Sequence, residues 1–244
     1  MLKQLVTSKT YRRSSKIESM HREKDSENEL LARAPRFRLQ GEFIRDHALA
    51  VSGLLNPMVG GPGVKPYQPA NIWNEVSLNG GLRYKQDKGD KLYRRSMYTY
   101  WKRSSPMPNM LIFDSPSREK CVIQRQRTNT PLQALVTLND PQFLEAARAF
   151  AERLLKSDKS ETAARIDLAY RYATARLATG KEVEILTQLY QKNLARFQSA
   201  PETAKEFLKV GESPRDESFD ASEHAAWMVV AQTIMNLDES LTRN

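Results

Sequence analysis

Two prolines, Pro131 and Pro141, each directly follow a side chain suited to cap a helix, and this pairing constrains the chain more than any other feature. Proline has no N–H and a fixed φ near −65°, so it fits the first helical position and resists any later one. Thr130 precedes Pro131 and Gln133 stands three residues after Thr130, which is the spacing of a reciprocal capping box. Asp140 precedes Pro141 and repeats the device. Two helices in tandem are therefore predicted, and helical apolar spacing continues beyond them. Phe143, Ala147, Phe150, Ala151, Leu154 and Leu155 form one stripe, and Ile166, Ala169, Tyr170, Ala173 and Leu177 the next. Val183, Leu186, Leu189, Tyr190, Leu194 and Phe197 form a third, with Gly180 expected at the left-handed position after the second helix, so that the two make an antiparallel hairpin. Pro201 opens a short helix through Leu208 that Gly211 closes. Asp220, with Glu223 three residues on, caps a last helix faced by Trp227, Val230, Ala231, Ile234 and Leu237.

Upstream, Phe43, Ile44, Ala48, Val51, Leu54 and Leu55 recur at helical spacing within 38–55, and this helix should end before Asn56-Pro57. Asp46 and His47 are neighbours there, but adjacent residues point about 100° apart on a helix, so the pair reads as helix surface. Gly60 to Pro69 lacks the Lys-Ser/Thr ending of a phosphate loop and reads as a stiff connector carrying Tyr67. Residues 72–78 read as a short helix or strand bearing Trp73, followed by a turn at Asn79-Gly80-Gly81. Ser96 to Lys102 alternates in the β manner, Cys121 to Gln126 is a second β-like run, and the two are expected to pair as a small antiparallel ribbon across the proline-punctuated 105–116. Residues 1–28 read as a polar, partly mobile arm whose Leu2, Leu5 and Val6 form the tail of a truncated helix. Residues 29–244 read as a single helix-dominated domain, with 140–210 and 220–238 as its helical C-terminal part. The expected fold class is mainly α: a multi-helix domain with a small antiparallel β ribbon and long proline- and glycine-rich connectors.

The net charge is +9, and residues 90–130 hold nine Lys/Arg against three Asp/Glu. That excess fits either a solvated basic surface or a polyanion-binding one. A single cysteine, Cys121, excludes an internal disulfide and a CxxCH haem attachment, and His21, His47 and His224 show no metal-ligand spacing. No metal or cofactor is expected in this chain. No apolar run reaches the ~18 residues that span a bilayer, and the opening MLKQLVTSKTYRR has neither the apolar core nor the cleavage site of a signal peptide.

Functional suspicion concentrates on 93–127, where Tyr93, Arg94, Arg95, Trp101, Arg118, Arg125 and Arg127, together with Trp73, mix rings and guanidinium groups. Rings stack on sugar faces, and guanidinium groups hold carboxylate or sulfate bidentately. Asp114 and Glu119 are the nearby carboxylates that could serve acid/base work. Thr130, Gln133, Asp140 and Asp220 have a sufficient explanation as helix caps.

The runs ALAVSGLLNP, GGPGVKPYQP, LYRRSMYTYWKR, FDSPSREKC and QRTNTPLQALVTLNDPQFLEAARAFAERLL, with VTSKTYRRSS at the start and WMVVAQTIMNLDES near the end, resemble a family expanded in planctomycetes, domain of unknown function 1553. This chain has NIWNE at 71–75 where a Gly-Leu-Trp-Glu-Glu type of run is usual, and Gln124 where a basic residue is common. The resemblance implies the C-terminal part of a larger exported or envelope protein, with haem only on a separate cytochrome-c-like domain or partner. The chain itself carries no export address, which leaves the cytoplasm open. Three functional readings follow. The first is a non-catalytic helical interaction module docking on the preceding domains of a parent protein or on a separate chain carrying them. The second is an enzyme or binding module acting on an anionic or carbohydrate polymer through 93–127. The third, nucleic-acid binding, rests on charge alone and is disfavoured by the expected export.

Overall fold

The computed structural model describes residues 1–74, 76–77, 81 and 83–243. Its helices, in chain order, are α1 (Leu2–Thr7), α2 (Ser19–Lys24), α3 (Gly41–Ser52), α4 (Pro108–Ile112), α5 (Pro131–Asn139), α6 (Pro141–Leu155), α7 (Thr162–Thr174), α8 (Gly180–Ser199), α9 (Pro201–Phe207), α10 (Ala221–Met235) and α11 (Asp238–Leu241). A two-residue strand near each end, β1 (Phe37–Arg38) and β2 (Thr242–Arg243), completes the list. The mainly α fold with a small antiparallel sheet is as expected, and no described helix is long and apolar enough to cross a membrane.

The tandem starts form where the prolines require. The Thr130 N–H donates to Gln133 Oε1 at 3.5 Å, and Asp140 accepts from the Gln142 N–H at 2.9 Å while capping α6. Asp220 likewise accepts from the Glu223 N–H at 2.9 Å at the start of α10. α10 is apolar on nearly every side, from Ala225 to Met235, and such a helix must be surrounded. It packs against α6, α8, α9 and α7, and its Trp227 is fully buried with its ring tilted 35° against that of Tyr190, centroids 4.8 Å apart. One apolar cluster runs from Ile44 through α6, α7, α8 and α10 to Leu241, with α3 laid on α6.

Three expectations are corrected. The sheet is not formed by 96–102 and 121–126: Ser96–Tyr98 is a 3₁₀ turn and 121–126 has no regular structure. Instead Phe37 pairs with Arg243 and Arg38 with Thr242, joining segments from opposite ends of the chain. Residues 94 and 99 keep only single bridges, to Asn56 and Val64, because the Gly60–Pro69 connector lies alongside them. Gly180 is not a left-handed residue after α7. Ala175 takes that position at φ 61°, because a Thr179–Glu182 capping box, with the Thr179 N–H donating to Glu182 Oε2 at 2.6 Å, starts α8 at Gly180. Leu177 thereby leaves the stripe and is exposed. The polar stretch after residue 10 also contains α2, and none of residues 1–28 is buried. The expected turn at Asn79-Gly80, and Leu78 before it, lie outside the described residues.

What locks the irregular half to the helices is Arg45 on α3, only 1% exposed. Its Nε donates to Gln142 Oε1 at 2.7 Å, Nη1 to the Arg94 carbonyl at 2.7 Å and to Ser96 Oγ at 3.2 Å, and Nη2 to the Leu92 carbonyl at 2.6 Å. Burial pulls its pKa down to about 10, which still leaves it charged at neutral pH. Next to it, Asp46 accepts the Ser96 N–H at 2.7 Å. Asp46 is thus a tie between segments, as is Arg45 itself, which sits on the buried side of an otherwise amphipathic helix.

Two outcomes test this frame. Arg45→Met strands the Leu92 and Arg94 carbonyls and should lower the unfolding free energy by about 3 kcal/mol, read as a lower urea midpoint at unchanged slope; a loss within error of zero would refute the tie. The second concerns pH. Hydrogen bonds from Arg176, at 2.7 and 2.9 Å, hold the Glu182 carboxyl down to about 2 from 4.5. A depressed carboxyl stabilises the fold above its unfolded value and loses that contribution as pH falls toward 2. Burial lowers the pKa of His47 and His224, so protonation of the unfolded chain opposes folding once pH drops below the unfolded histidine value of ~6.5. Calorimetry should show Tm falling in both windows, and Glu182→Gln should shrink the loss between pH 5 and 2 while leaving that near pH 6 intact.

Candidate functional site

The suspected stretch divides into residues that build the fold and residues that face solvent. Arg94 is buried: its Nη1 donates to the Pro62 carbonyl at 3.0 Å and its Nη2 to the carbonyls of Met58 and Gly60, while the guanidinium lies 3.9 Å from the Tyr98 ring centroid. Tyr93 donates its hydroxyl to the buried Glu145 at 2.8 Å. Desolvation and that carboxylate push the tyrosine pKa well up. Trp73 is buried against Tyr84, edge-on at 5.2 Å, with Lys102 Nζ 4.7 Å from its ring centroid. Arg95 is exposed and pairs with Asp46 at 3.6 Å. These four positions serve packing or a loose surface ion pair, and they do not meet at a common cavity.

A groove of about 340 Å³ does gather several of the others. Its floor and walls come from Arg38 of β1, Gln40, Asp114, and the segment from Val122 to Arg127. The local geometry follows from Asp114, which stands at φ 60° just past α4, a conformation that short polar side chains tolerate best. Asp114 Oδ2 accepts the Thr128 N–H at 2.7 Å and Oδ1 accepts its hydroxyl at 3.0 Å, so the irregular segment returns to the start of α5. Gln133 adds to this anchor by donating to the Ile112 carbonyl at 2.9 Å and to Thr128 Oγ1 at 3.0 Å, a second use beyond its cap.

The electrostatics of the groove are dominated by guanidinium groups. Arg125 donates to Glu42 at 2.8 Å and to Gln40 Oε1 at 3.0 Å. Arg38 is bonded at Nη2 to Asn129 at 2.6 Å, and its buried Nε has no partner among the described residues. Arg127 lies 4.3 Å from the Phe37 ring centroid, where Arg243 also approaches at 5.7 Å, and neither Arg38 nor Arg127 is paired with a carboxylate among the described residues. Beside these cations Ile123 is fully exposed and Val122 half-exposed. Arg38, Gln40, Phe37 and Ile123 were missed as site residues. A β strand whose partner lies some two hundred residues away leaves no local pattern to read.

The remaining candidates lie apart from this groove. Trp101 donates its ring N–H to the Ser117 carbonyl at 2.9 Å, and Arg118 covers one face of the indole at 4.8 Å. Glu119 is exposed and does not line the groove that Asp114 lines. Asp114 itself has both oxygens engaged by Thr128. The two carboxylates are therefore occupied or solvated in separate places, and no group of three or more metal-ligating side chains converges among the described residues.

A family model described as PSD1, protein of unknown function (DUF1553), matches residues 1–190. The chain belongs to that family. The match covers the arm, α3, the connectors and the whole groove, and it stops within α8, so α9 to α11 and β2 lie beyond it. No curated protein and no solved structure matches the chain. In this DUF1553 chain the groove wall at Arg38 is completed by the β2 pairing, which comes from beyond the matched region.

The anchor generates a test. Asp114→Ala removes both acceptors of Thr128 and places alanine at a positive φ, which should cost about 1–2 kcal/mol. Limited trypsin digestion mapped by mass spectrometry should show faster cleavage after Arg125 and Arg127, and unchanged cleavage there would remove Asp114 as the support of the groove.

Proposed function

We propose that this chain is a non-catalytic interaction module whose groove between β1, the end of α4 and 122–127 grips acidic side chains of a partner protein. The observation that carries the reading is the pair Arg38 and Arg127, two guanidinium groups without carboxylate partners among the described residues, set beside the exposed Ile123 and Val122. Arginine beside exposed aliphatic surface is the composition of a protein interface, whereas a surface that only tracks a polyanion needs charge without the apolar part. α5 also turns Leu132 and Leu135 to solvent, each about half exposed. The polymer-binding alternative is less supported, because Trp101 has its ring N–H engaged and one face under Arg118. By the family resemblance the partner belongs to the preceding domains of a parent protein, or to a separate chain carrying them, in an exported or envelope setting where haem resides on that partner.

The test uses the intact chain and the domain encoded upstream of it, titrated calorimetrically. Arg38→Glu with Arg127→Glu should weaken binding at least tenfold, and Ile123→Asp alone should weaken it by a similar factor. Binding indifferent to all three substitutions would overturn the groove as the contact. Retention on immobilised polyuronate, lost in the same variants, would instead establish the polymer reading.

A further inference from the structure

A second basic cavity, independent of the groove, lies where α6, α9 and the start of α10 meet. It measures about 510 Å³ and is lined by Arg148 of α6, Lys205 of α9, Lys209, Ser213, Arg215 and Glu217, with Ala221 at the first turn of α10. Four cations therefore face one carboxylate, in a part of the chain whose overall charge is acidic.

The decisive group is Arg148. It is 2% exposed, yet it lines this cavity and the adjoining one of about 420 Å³. Its Nη2 donates to the Ser213 carbonyl and to Ser213 Oγ, both at 2.6 Å, and Glu145 lies 3.9 Å away, already accepting from Tyr93 and from the Ser213 N–H. Its Nε is buried with no hydrogen-bond partner among the described residues. A buried guanidinium with an unmet donor is costly unless something supplies the acceptor. The other cations are available at modest cost. Lys205 and Lys209 pair with Glu202 and Glu206 one turn away on the exposed surface, at 2.8 and 2.5 Å, and such pairs contribute little. Arg215 is held in place by donating Nε to His224 Nδ1 at 3.3 Å and Nη2 to the Phe219 carbonyl at 2.5 Å. The His224 Nε2 meets the Arg148 carbonyl at 3.0 Å, so a neutral imidazole protonated at Nε2 satisfies both neighbours.

We infer that this cavity is a binding site for a phosphate or sulfate group. A carboxylate is planar and is met by one guanidinium fork, whereas here the donors come from three separate elements around a volume, which suits a tetrahedral dianion with acceptors in several directions. Glu217 on the rim disfavours a long polyanion lying across the mouth and favours a single small group.

The test is titration of the full chain with sodium phosphate, with sodium sulfate and with sodium acetate, each against sodium chloride at equal ionic strength, read by calorimetry and by thermal shift. Phosphate or sulfate should bind saturably with a stoichiometry near one and raise Tm, and acetate should bind at least tenfold more weakly. Lys205→Gln with Lys209→Gln, both on exposed side chains and safe for folding, should weaken phosphate at least fivefold. Arg148→Lys should weaken it at least tenfold if the variant folds, and the lysine pair decides if it does not. Arg38→Glu with Arg127→Glu should leave phosphate binding unchanged, which separates this site from the groove. No saturable phosphate or sulfate binding beyond chloride, or binding untouched by the lysine substitutions, overturns the inference. Acetate binding as tightly as phosphate overturns its assignment to a tetrahedral anion.

Discussion

Everything on the irregular side of this protein depends on a single buried cation. Residues 53–107 contain no α-helix and no strand among the described residues, so their backbone groups cannot satisfy one another in a regular ladder. Arg45 reaches out of α3 and collects the carbonyls of Leu92 and Arg94, and Arg94 then collects those of Met58, Gly60 and Pro62. Two arginines in series thus do for a loop what a sheet does for a strand. A guanidinium suits the task because its five donors lie in a rigid fork, and it remains charged even after desolvation. Carbonyls make the direct contacts, and one carboxylate stands beside them: Asp46 Oδ1 lies 3.8 Å from Arg45 Nη1 while accepting the Ser96 N–H. Neutral carbonyls thereby solvate a charge that water would otherwise hold.

The same logic, with the sign reversed, governs the strap that follows α9. Glu145 on α6 is 1% exposed and accepts the Ser213 N–H at 2.6 Å, and Glu152 accepts the Asp216 N–H at 3.1 Å. The strap must pass so close that any side chain at Gly211, φ 86°, would overlap the Glu145 carboxyl, so glycine is required there on two counts. Tyr93 on the irregular side donates to that carboxylate, and the Tyr67 hydroxyl accepts the Glu212 N–H at 2.8 Å. Glu145 is therefore where connector, strap and helix bundle meet.

The helical half was legible because its signals are local. A capping side chain, a proline and a period of 3.6 residues all lie within one or two turns, and Thr130, Asp140 and Asp220 do what their spacing implies. The local pattern misleads where the decisive partner is remote or where two local signals compete. Alternation in 96–102 is real, but Arg45 holds the Arg94 carbonyl just before it and Asp46 accepts the N–H of Ser96 at its start, where the chain makes a 3₁₀ turn. Gly180 could end one helix or begin the next, and the Thr179–Glu182 box settles the matter by supplying bonds that the alternative lacks. The role of Arg45 has no local sign in the sequence, since nothing in its neighbourhood announces carbonyls arriving from residues 92 and 94.

The site was legible by residue type and illegible by arrangement, for a related physical reason. An arginine-rich, aromatic-rich stretch says that guanidinium groups must find acceptors or rings, but not which will find them inside the molecule. Arg94 finds both within the fold and is consumed by it. Arg127 finds a ring at Phe37 and no acceptor among the described residues, and the strand that places Phe37 is anchored at the far end of the chain, where Arg243 approaches the same ring. Two like charges over one ring repel unless something anionic lies near them, and the groove at their side is open. The cations that the fold leaves without a carboxylate among the described residues, rather than those most conspicuous in the sequence, are the ones on which the proposed contact rests.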